Sequence, residues 1–499
     1  MLYPQNTIKI EEIKTISGKD GLSFFDKLLK LFKLFNIDSL CKKNGMIKYK
    51  GFSVSEILTV LILFPFMAIS TVNSLYASRF NELIKAQKDT FFRLKNNEYF
   101  NWRNLLYLFA KRSKKMSENN IDEANENSAD GVSVTPKCFV IDDTVINKVG
   151  MKIEFIGKVY DHVIGRLVLG FKLLLLSYWD GKSLIPLDFS YHNEKGKNKK
   201  YPFGLLKRKL KKRFSKKRNK KSAGYKRSQE LSVDKITNSI AMLKRAVKHG
   251  FVPDYVLTDS WFSSEKMIKT IRKLKKGVIH FLGMMKMDNR HYEYQGQKLN
   301  AKELRKKLKS KMKRAKKLNI YYIEVIVNYS DIGAVKLFFT RFSKRSKWRL
   351  LLATNLALSF HQAVEIYNIR WSIEVLFKEC KQLLNLGKSQ SNDFDAQLAD
   401  ATISLIVYTM LSFHKRIHCH TSLGALFAQY RDDFIEATVV EKLWQLFLAI
   451  QLTIAEVFEI DYNKMMRVVF ELPEARKTFK SLSEIFFEDN FFTETRKAA

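Results

Sequence analysis

The sequence predicts an α/β protein: a mixed core carrying a β-rich insertion, with all-α regions on either side. Three observations predict it. Short apolar runs rich in β-branched residues alternate with amphipathic helical segments between residues 136 and 385. A polar, acidic stretch separates that region from helical sequence upstream. After residue 385 the apolar spacing returns to that of helices.

Residues 1–116 repeat apolar residues at helical spacing in 24–35, 57–69 and 102–110, and form an all-α N-terminal region. Residues 117–135 are acidic and almost free of apolar side chains, which reads as a linker. Strand signals begin after Pro136, in 138–142, 166–178 and 184–189, the last two joined by an Asp180-Gly181 turn. A helix is expected from Ser232, as N-cap, to His249, with Gly250 in the stop position. Strand 254–259, helix 263–275 and strand 278–282 follow. Three antiparallel strands followed by helix, strand, helix, strand is the order of a ribonuclease H-like domain. Residues 136–285 and 348–385 are therefore assigned to such a core, and 350–354 is its resumed strand. Residues 286–347, with strands at 321–327 and 335–340, form a basic β-rich insertion, and 386–499 an α-helical C-terminal region.

Composition narrows the partners. The 499 residues include 88 Lys and Arg against 50 Asp and Glu, a formal charge of +38 that calls for a polyanion, with nucleic acid first. Residues 195–227 hold 17 basic residues in 33 and no acid, and 302–317 hold 10 in 16. The first run, with aromatic residues interspersed, reads as a DNA-tracking segment, and both favour phosphate contact. Residues 1–14 lack the pattern of a signal peptide. The apolar runs 57–69 and 401–413 fall short of the ~20 residues that span a bilayer, so no membrane association is expected. Four cysteines suit a reducing compartment. His414, His418, Cys419 and His420 read as ordinary helix-end residues rather than a zinc site, because no Cys-x2-Cys partner exists. No phosphate-binding Gly-rich loop appears, so ATP use is not indicated.

The densest chemistry lies in Tyr367-Asn-Ile-Arg370-Trp-Ser-Ile-Glu374-Val-Leu-Phe-Lys378-Glu-Cys-Lys381. On one helix, at about 100° per residue, its five numbered residues fall within roughly 80° of one another. Ile366, Ile369, Ile373, Leu376, Phe377, Cys380 and Leu384 take the opposite side. The stripe thus presents one carboxylate among cations, a surface suited to phosphate with a metal ligand in its middle. Asp142 and Asp143 end the first strand and Asp259 ends another, and in a ribonuclease H-like sheet these ends converge with the late helix. Gathered carboxylates suit Mg²⁺, which takes oxygen ligands. Strand alternation does not choose between Asp142 and Asp143, because a central strand is buried on both faces.

Over residues 136–385 the chain resembles the DDE transposases of bacterial insertion sequences, in particular the insertion-sequence-four family with its Tyr-x2-Arg-x3-Glu-x6-Lys signature. Tyr367, Arg370, Glu374 and Lys381 match that spacing, and Asp143-Thr144 and the run from Leu257 to Phe262 match its other motifs. The resemblance implies that Asp143, Asp259 and Glu374 ligate two Mg²⁺ ions, with Mn²⁺ able to substitute, and that Asp142 supports them from behind. It implies that Arg370, Lys378 and Lys381 grip phosphates beside the cleaved bond while Tyr367 donates a hydrogen bond there. Trp348 occupies the place of a base-stacking tryptophan, and Trp261 and Trp371 are expected to pack and fix their charged neighbours. The implied activity is cut-and-paste transposition: 3′-strand nicking, excision through a hairpin, and strand transfer into target DNA. The partners would be terminal inverted repeats, bound by the N-terminal helices, and target DNA. Two ends would be paired by a homodimer through the C-terminal helices, in the bacterial cytoplasm at the nucleoid. Two rival readings share these features: a ribonuclease H-like nuclease or resolvase that does not join strands, and an inactive DNA-binding regulator.

Overall fold

The computed structural model describes residues 24–78, 80–81, 84–125, 135–343, 345–417, 422–432, 460–461 and 472–474. The chain divides into two compact units, one made of residues 35–65 and 69–424, the other of 1–34, 66–68 and 425–499. In the second, Phe66 packs its ring 5.2 Å from Phe427 and 6.0 Å from Tyr430.

Six helices open the described chain: α1 (Phe24–Phe35), α2 (Ile37–Lys43), α3 (Val54–Leu63), α4 (Val72–Tyr76), α5 (Lys88–Lys95) and α6 (Trp102–Asn125). Helix α3 starts at a capping box, in which Glu56 accepts from the Ser53 amide at 2.6 Å and Ser53 accepts from the Glu56 amide. It stops before Pro65, which cannot supply the next backbone donor. Helix α6 runs through Asn125, so the first part of the acidic stretch read as linker is helical, and 126–134 lie outside the described residues.

Four strands follow, β1 (Cys138–Asn147), β2 (Gly157–Asp161), β3 (Arg166–Trp179) and β4 (Leu184–His192). Strand β2 had no counterpart in the sequence reading. Short helices α7 (Lys207–Lys211) and α8 (Ala223–Gln229) lead to α9 (Lys235–Lys248). The cap of α9 is Asp234, not Ser232: its carboxylate accepts from the Thr237 amide at 2.9 Å. At the other end Gly250 adopts φ +90°, and the Phe251 amide donates back to Ala246 O at 3.1 Å, a left-handed stop that favours glycine. Then come β5 (Tyr255–Thr258), α10 (Glu265–Lys273), capped by Ser264, and β6 (His280–Met285).

Strands β1, β3 and β4 are antiparallel neighbours, while β5 pairs parallel to β1 and β6 parallel to β5. The strand-helix-strand connections through α10, and through α9 back to the sheet, are what parallel pairing requires. The segment expected as an insertion contains β7 (His291–Tyr294), β8 (Gln297–Asn300), α11 (Ala301–Lys307), β9 (Lys313–Ala315), β10 (Ile320–Tyr329) and β11 (Gly333–Arg341). These strands do not stand apart. Strand β12 (Arg349–Ala353) pairs with both β6 and β11, so they extend the core sheet in the order β2-β3-β1-β5-β6-β12-β11-β10-β7-β8.

Alternation along β1 sorts its side chains between two faces. Phe139 and Ile141 enter a core shared with Ile240 and Leu243 of α9 and Met267, Ile268 and Ile271 of α10. The opposite face receives α12 (Phe360–Asn368) and α13 (Trp371–Gln382), and α14 (Phe394–Ile417) packs against α6, β4 and α13. Helix α14 is long and apolar enough to cross a membrane by length and composition, and most of it is buried inside the protein.

A charged network fastens α6 and α9 to β4. Asp188, fully buried, accepts from Arg103 at 2.7 Å and Arg245 at 2.8 Å, and Arg103 also pairs with Glu230 at 2.7 Å. Burial alone would raise the Asp188 carboxyl, but Arg103, Arg245 and Arg227 outweigh it and hold it below its usual range. Removing one partner leaves buried charge unanswered. Asp188→Ala is expected to destabilise the fold by about 3–5 kcal/mol in urea unfolding, and a change below about 1 kcal/mol would show that the network contributes little.

Candidate active site

The signature helix is two helices. Helix α12 ends at Asn368 and α13 begins at Trp371, and Ile369 and Arg370 form the junction. There the amides of Ile369, Arg370, Ser372 and Ile373 donate to carbonyls three residues back, a tighter winding than the α-helix. Both junction residues keep right-handed angles, so the polar stripe survives the break. Its apolar counterpart behaves as the spacing requires: Ile366, Ile373, Leu376, Phe377, Cys380 and Leu384 are buried and Ile369 is half-buried.

Arg370 is the hub. One guanidinium nitrogen donates to Asp142 at 3.1 Å and another to Glu374 at 2.7 Å. Because Ile141 is the register partner of Thr258, one further step brings Asp142 beside Asp259. Asp259 accepts from the amides of Trp261 at 2.9 Å and Phe262 at 3.3 Å, which fixes its carboxylate at the head of the turn into α10. Burial and then the charge of Asp259 push the Asp142 carboxyl up to about 7, against the pull of Arg370. Burial likewise raises Asp259, opposed by its two amide donors. Tyr367 donates its hydroxyl to Thr258 O at 3.3 Å, which ties α12 to the end of β5. Burial raises its phenol to about 12. Lys381 donates to Thr144 Oγ1 at 2.6 Å, and Lys378 is exposed.

Asp143 turns the other way. On the face of β1 shared with α9 it pairs with Lys235 at 2.6 Å, while Asp142 and Thr144 face α13. The carboxylate that meets Arg370 is thus Asp142. Trp348 is half-buried against the core, with the guanidinium of Arg341 4.5 Å and that of Arg305 5.4 Å from its ring. Trp261 and Trp371 are 62% and 61% exposed, contrary to the packing role expected of them. Trp261 stands beside Asp259, with Lys286 Nζ 4.0 Å from its ring centre and the His162 ring at 5.6 Å. Neither Lys286 nor His162 carried any signal in the sequence, since both come from segments remote from the motifs.

The basic run 195–227 is divided by the fold. Lys216 pairs with Asp393 and Asp395, and Arg218, almost fully buried, pairs with Glu154, Asp393 and Asp395. Arg213 donates to Ile156 O, and Arg227 to Phe189 O. These four of the 17 basic residues are internal fastenings, and the other 13 are exposed. Acids that answer the run therefore exist, but they lie at 154 and 393–395.

Among the described residues no three His, Cys, Asp or Glu side chains stand close enough to hold one metal ion as they are. Arg370 occupies the space between Asp142 and Glu374. In donor chemistry Asp142, Asp259 and Glu374 fit a divalent cation, since all offer hard carboxylate oxygens and Asp142, raised first by burial and then by the charge of Asp259, would gain from a cation beside it. Holding it requires Glu374 to leave Arg370. His414 is buried, and His418, Cys419 and His420 lie outside the described residues.

Residues 223–410 match the family model of the transposase DDE domain. This range contains Asp259, Glu374 and the whole polar stripe, and begins well after Asp142. No curated protein matches the chain. Among solved structures, the NurA nuclease from Sulfolobus solfataricus is similar at 12% identity over 52% of this chain and 82% of that one, with a TM-score of 0.21 that supports no argument.

The two classes of basic residue should separate in thermal unfolding. Arg218→Met should cost about 3–5 kcal/mol, because it takes the guanidinium from buried Glu154 and leaves Asp393 and Asp395 to Lys216 alone, whereas Lys212→Met should leave the midpoint unchanged. Equal midpoints for both variants would contradict the internal role.

Proposed function

We propose that the protein is a DNA transposase acting through metal-dependent phosphoryl transfer, with Asp142, Asp259 and Glu374 as the carboxylates that receive a divalent cation. The observation that carries this reading is the bridge of Arg370 from Asp142 to Glu374 beside Asp259, of which Arg370, Glu374 and Asp259 lie in the segment 223–410 that matches the transposase DDE domain. Asp143, the first ligand that the family resemblance implies, is assigned a supporting place behind Asp142, neutralised by Lys235. Mg²⁺ is the cation proposed, with Mn²⁺ as its substitute, and two ions are the number that the resemblance implies.

A cation at this place would lower the pKa of the attacking oxygen and offset charge on the leaving one. The chain's own residues do the positioning. Lys378 and Lys381 reach phosphates on either side of the scissile bond, Lys381 being oriented by Thr144. Arg370, released from Glu374, is free to hold a phosphate oxygen with its fork of donors. Tyr367 keeps α12 against β5 so that Arg370 and Asp259 stay in step. In the proposed first step water oxygen bonds to phosphorus as the P–O3′ bond breaks, freeing a 3′-hydroxyl. That hydroxyl would then attack phosphorus in the opposite strand and displace the flanking 3′-oxygen to form a hairpin; water would reopen the hairpin at that phosphorus, and the freed 3′-hydroxyl would attack phosphorus in target DNA, displacing a target 3′-oxygen. Pairing of two element ends requires two copies of the chain. End binding is assigned to the helical region before residue 117, and protomer pairing to that after 385, on resemblance alone.

The 13 exposed basic residues of 195–227 are proposed to track the duplex. Each phosphate that they neutralise should add about 0.9 to the negative slope of log affinity against log salt. Replacing Lys220 and Lys221 by Met should reduce that slope by nearly two, and an unchanged slope would remove the segment from the interface.

The reaction is tested with Mg²⁺, a terminal-repeat duplex and supercoiled target. The expected products are a nicked end and a joined strand. Nicking without joining would favour a nuclease, and binding without either would favour a regulator. Asp259→Ala and Glu374→Ala should abolish cleavage. Asp142→Asn should do so too, while Asp143→Asn retains measurable cleavage; the reverse pattern would return the first ligand to Asp143.

A further inference from the structure

Of the three carboxylates around Arg370, two are fixed by the backbone and one is not. Asp142 Oδ1 accepts from the Asp143 amide at 2.8 Å, and Asp259 accepts from the amides of Trp261 and Phe262. Those donors move only with the sheet and the turn that carry them. Glu374 has a single partner among the described residues, Arg370, which donates Nη2 to its Oε1 at 2.7 Å. About a third of the Glu374 side chain is open to solvent.

Arg370 is incompletely matched in this arrangement. Its Nη1 donates to Asp142 at 3.1 Å and its Nη2 to Glu374, while Nε is buried and donates to no partner among the described residues. A buried donor left unpaired costs about 1–3 kcal/mol. Nε and Nη2 share one edge of the planar guanidinium, an edge that can grip two oxygens of a phosphate in parallel. Glu374 takes one half of that edge, and the other half is unused.

A phosphate seated there satisfies Nε and competes with Glu374 for Nη2. No helix has to move for the exchange. Arg370 and Glu374 are four residues apart across the start of α13, so rotation of side chains between staggered states is enough to part them. A divalent cation asks for the same carboxylate that the guanidinium holds. Guanidinium and cation therefore compete for Glu374, whereas phosphate and cation do not.

We propose that Arg370 is an exchangeable counter-ion, which withholds Glu374 from a divalent cation until a DNA phosphate takes its Nε–Nη2 edge, so that DNA and cation bind cooperatively. The proposal rests on the DNA-acting reading above and adds a coupling between the two ligands of the site. Such a coupling is one free energy shared by both, so DNA tightens the cation by the same factor as the cation tightens DNA. Lys378, exposed on the same stripe, pairs with none of the three carboxylates among the described residues and lies outside the exchange.

The experiment reads bound Mn²⁺ by electron paramagnetic resonance on the full chain, with and without an element-end duplex. A P–C bond replaces the scissile P–O3′ bond of that duplex, so binding is read without cleavage, and the duplex alone is the blank. Wild type should hold Mn²⁺ about tenfold more tightly in the complex than without DNA. With uncharged methylphosphonates in place of the phosphates beside the cleavage position, the complex should still form and hold Mn²⁺ no more tightly than the chain without DNA. Arg370→Gln should bind Mn²⁺ about tenfold more tightly than wild type when DNA is absent, and gain little from the duplex. Lys378→Gln removes the same charge from the same stripe and should leave that DNA-free affinity within about twofold of wild type. A gain of binding is a readout that general damage to the fold does not produce. Equal Mn²⁺ affinity of wild type with and without bound duplex, or an Arg370→Gln chain no tighter than wild type without DNA, would overturn the exchange and leave the transposase reading standing. A chain that binds no duplex, or a Glu374→Ala complex that holds Mn²⁺ as tightly as the wild-type complex, would overturn both.

Discussion

A carboxylate buried beside a second carboxylate persists only where a cation or a proton answers its charge, and at the junction of β1, β5 and α13 the guanidinium of Arg370 gives part of that answer. Everything that positions the site serves this meeting. Register between β1 and β5 sets Asp142 beside Asp259, and the Trp261 and Phe262 amides keep Asp259 at its strand end. Tyr367 holds α12 to the backbone just before it. The break between α12 and α13 falls at Ile369 and Arg370, and its tighter winding leaves Arg370 between the two acids. Burial first and then the charge of Asp259 outweigh the pull of that guanidinium, which is why the Asp142 carboxyl is pushed up to about 7.

The same physics acts at a larger scale on the positive charge. A chain of +38 cannot simply spread its lysines outward, because long basic loops repel themselves and lack a core of their own. Here a few basic residues are turned inward to fasten the rest. Arg218 and Lys216 anchor the segment 195–227 to Glu154, Asp393 and Asp395, and Arg227 joins it to β4. Such buried pairs are weak contributors to net stability, since desolvation offsets much of their attraction. Their value is in specifying where the loop runs, and they leave its other basic residues exposed.

Much of the fold was legible because it follows from local chemistry. Alternating apolar strands, a glycine in the left-handed stop after α9 and the heptad-like apolar face of α13 need only neighbouring residues to be recognised. Strand β2 was not legible, since Gly157-Lys-Val-Tyr-Asp161 is short and is held by pairing with β3 rather than by its own pattern. Nor was the continuity of β7 to β11 with the core sheet, which depends on β12 pairing on both edges. Trp261 was misread for a related reason. Its neighbour Phe262 is buried, and nothing local distinguishes which of two adjacent aromatic residues in a turn faces inward.

The sequence by itself determined the inventory: a large surplus of basic residues, an α/β order, and a stripe of Tyr367, Arg370, Glu374, Lys378 and Lys381 whose spacing is set by helical geometry alone. Only the tertiary structure decided which aspartate faces that stripe. Adjacent residues on a strand point to opposite faces, so Asp142 and Asp143 are equivalent until the sheet is packed. Helices α9 and α10 take the face of Ile141 and Asp143, α13 takes the face of Asp142 and Thr144, and the choice follows from which helices cover which side.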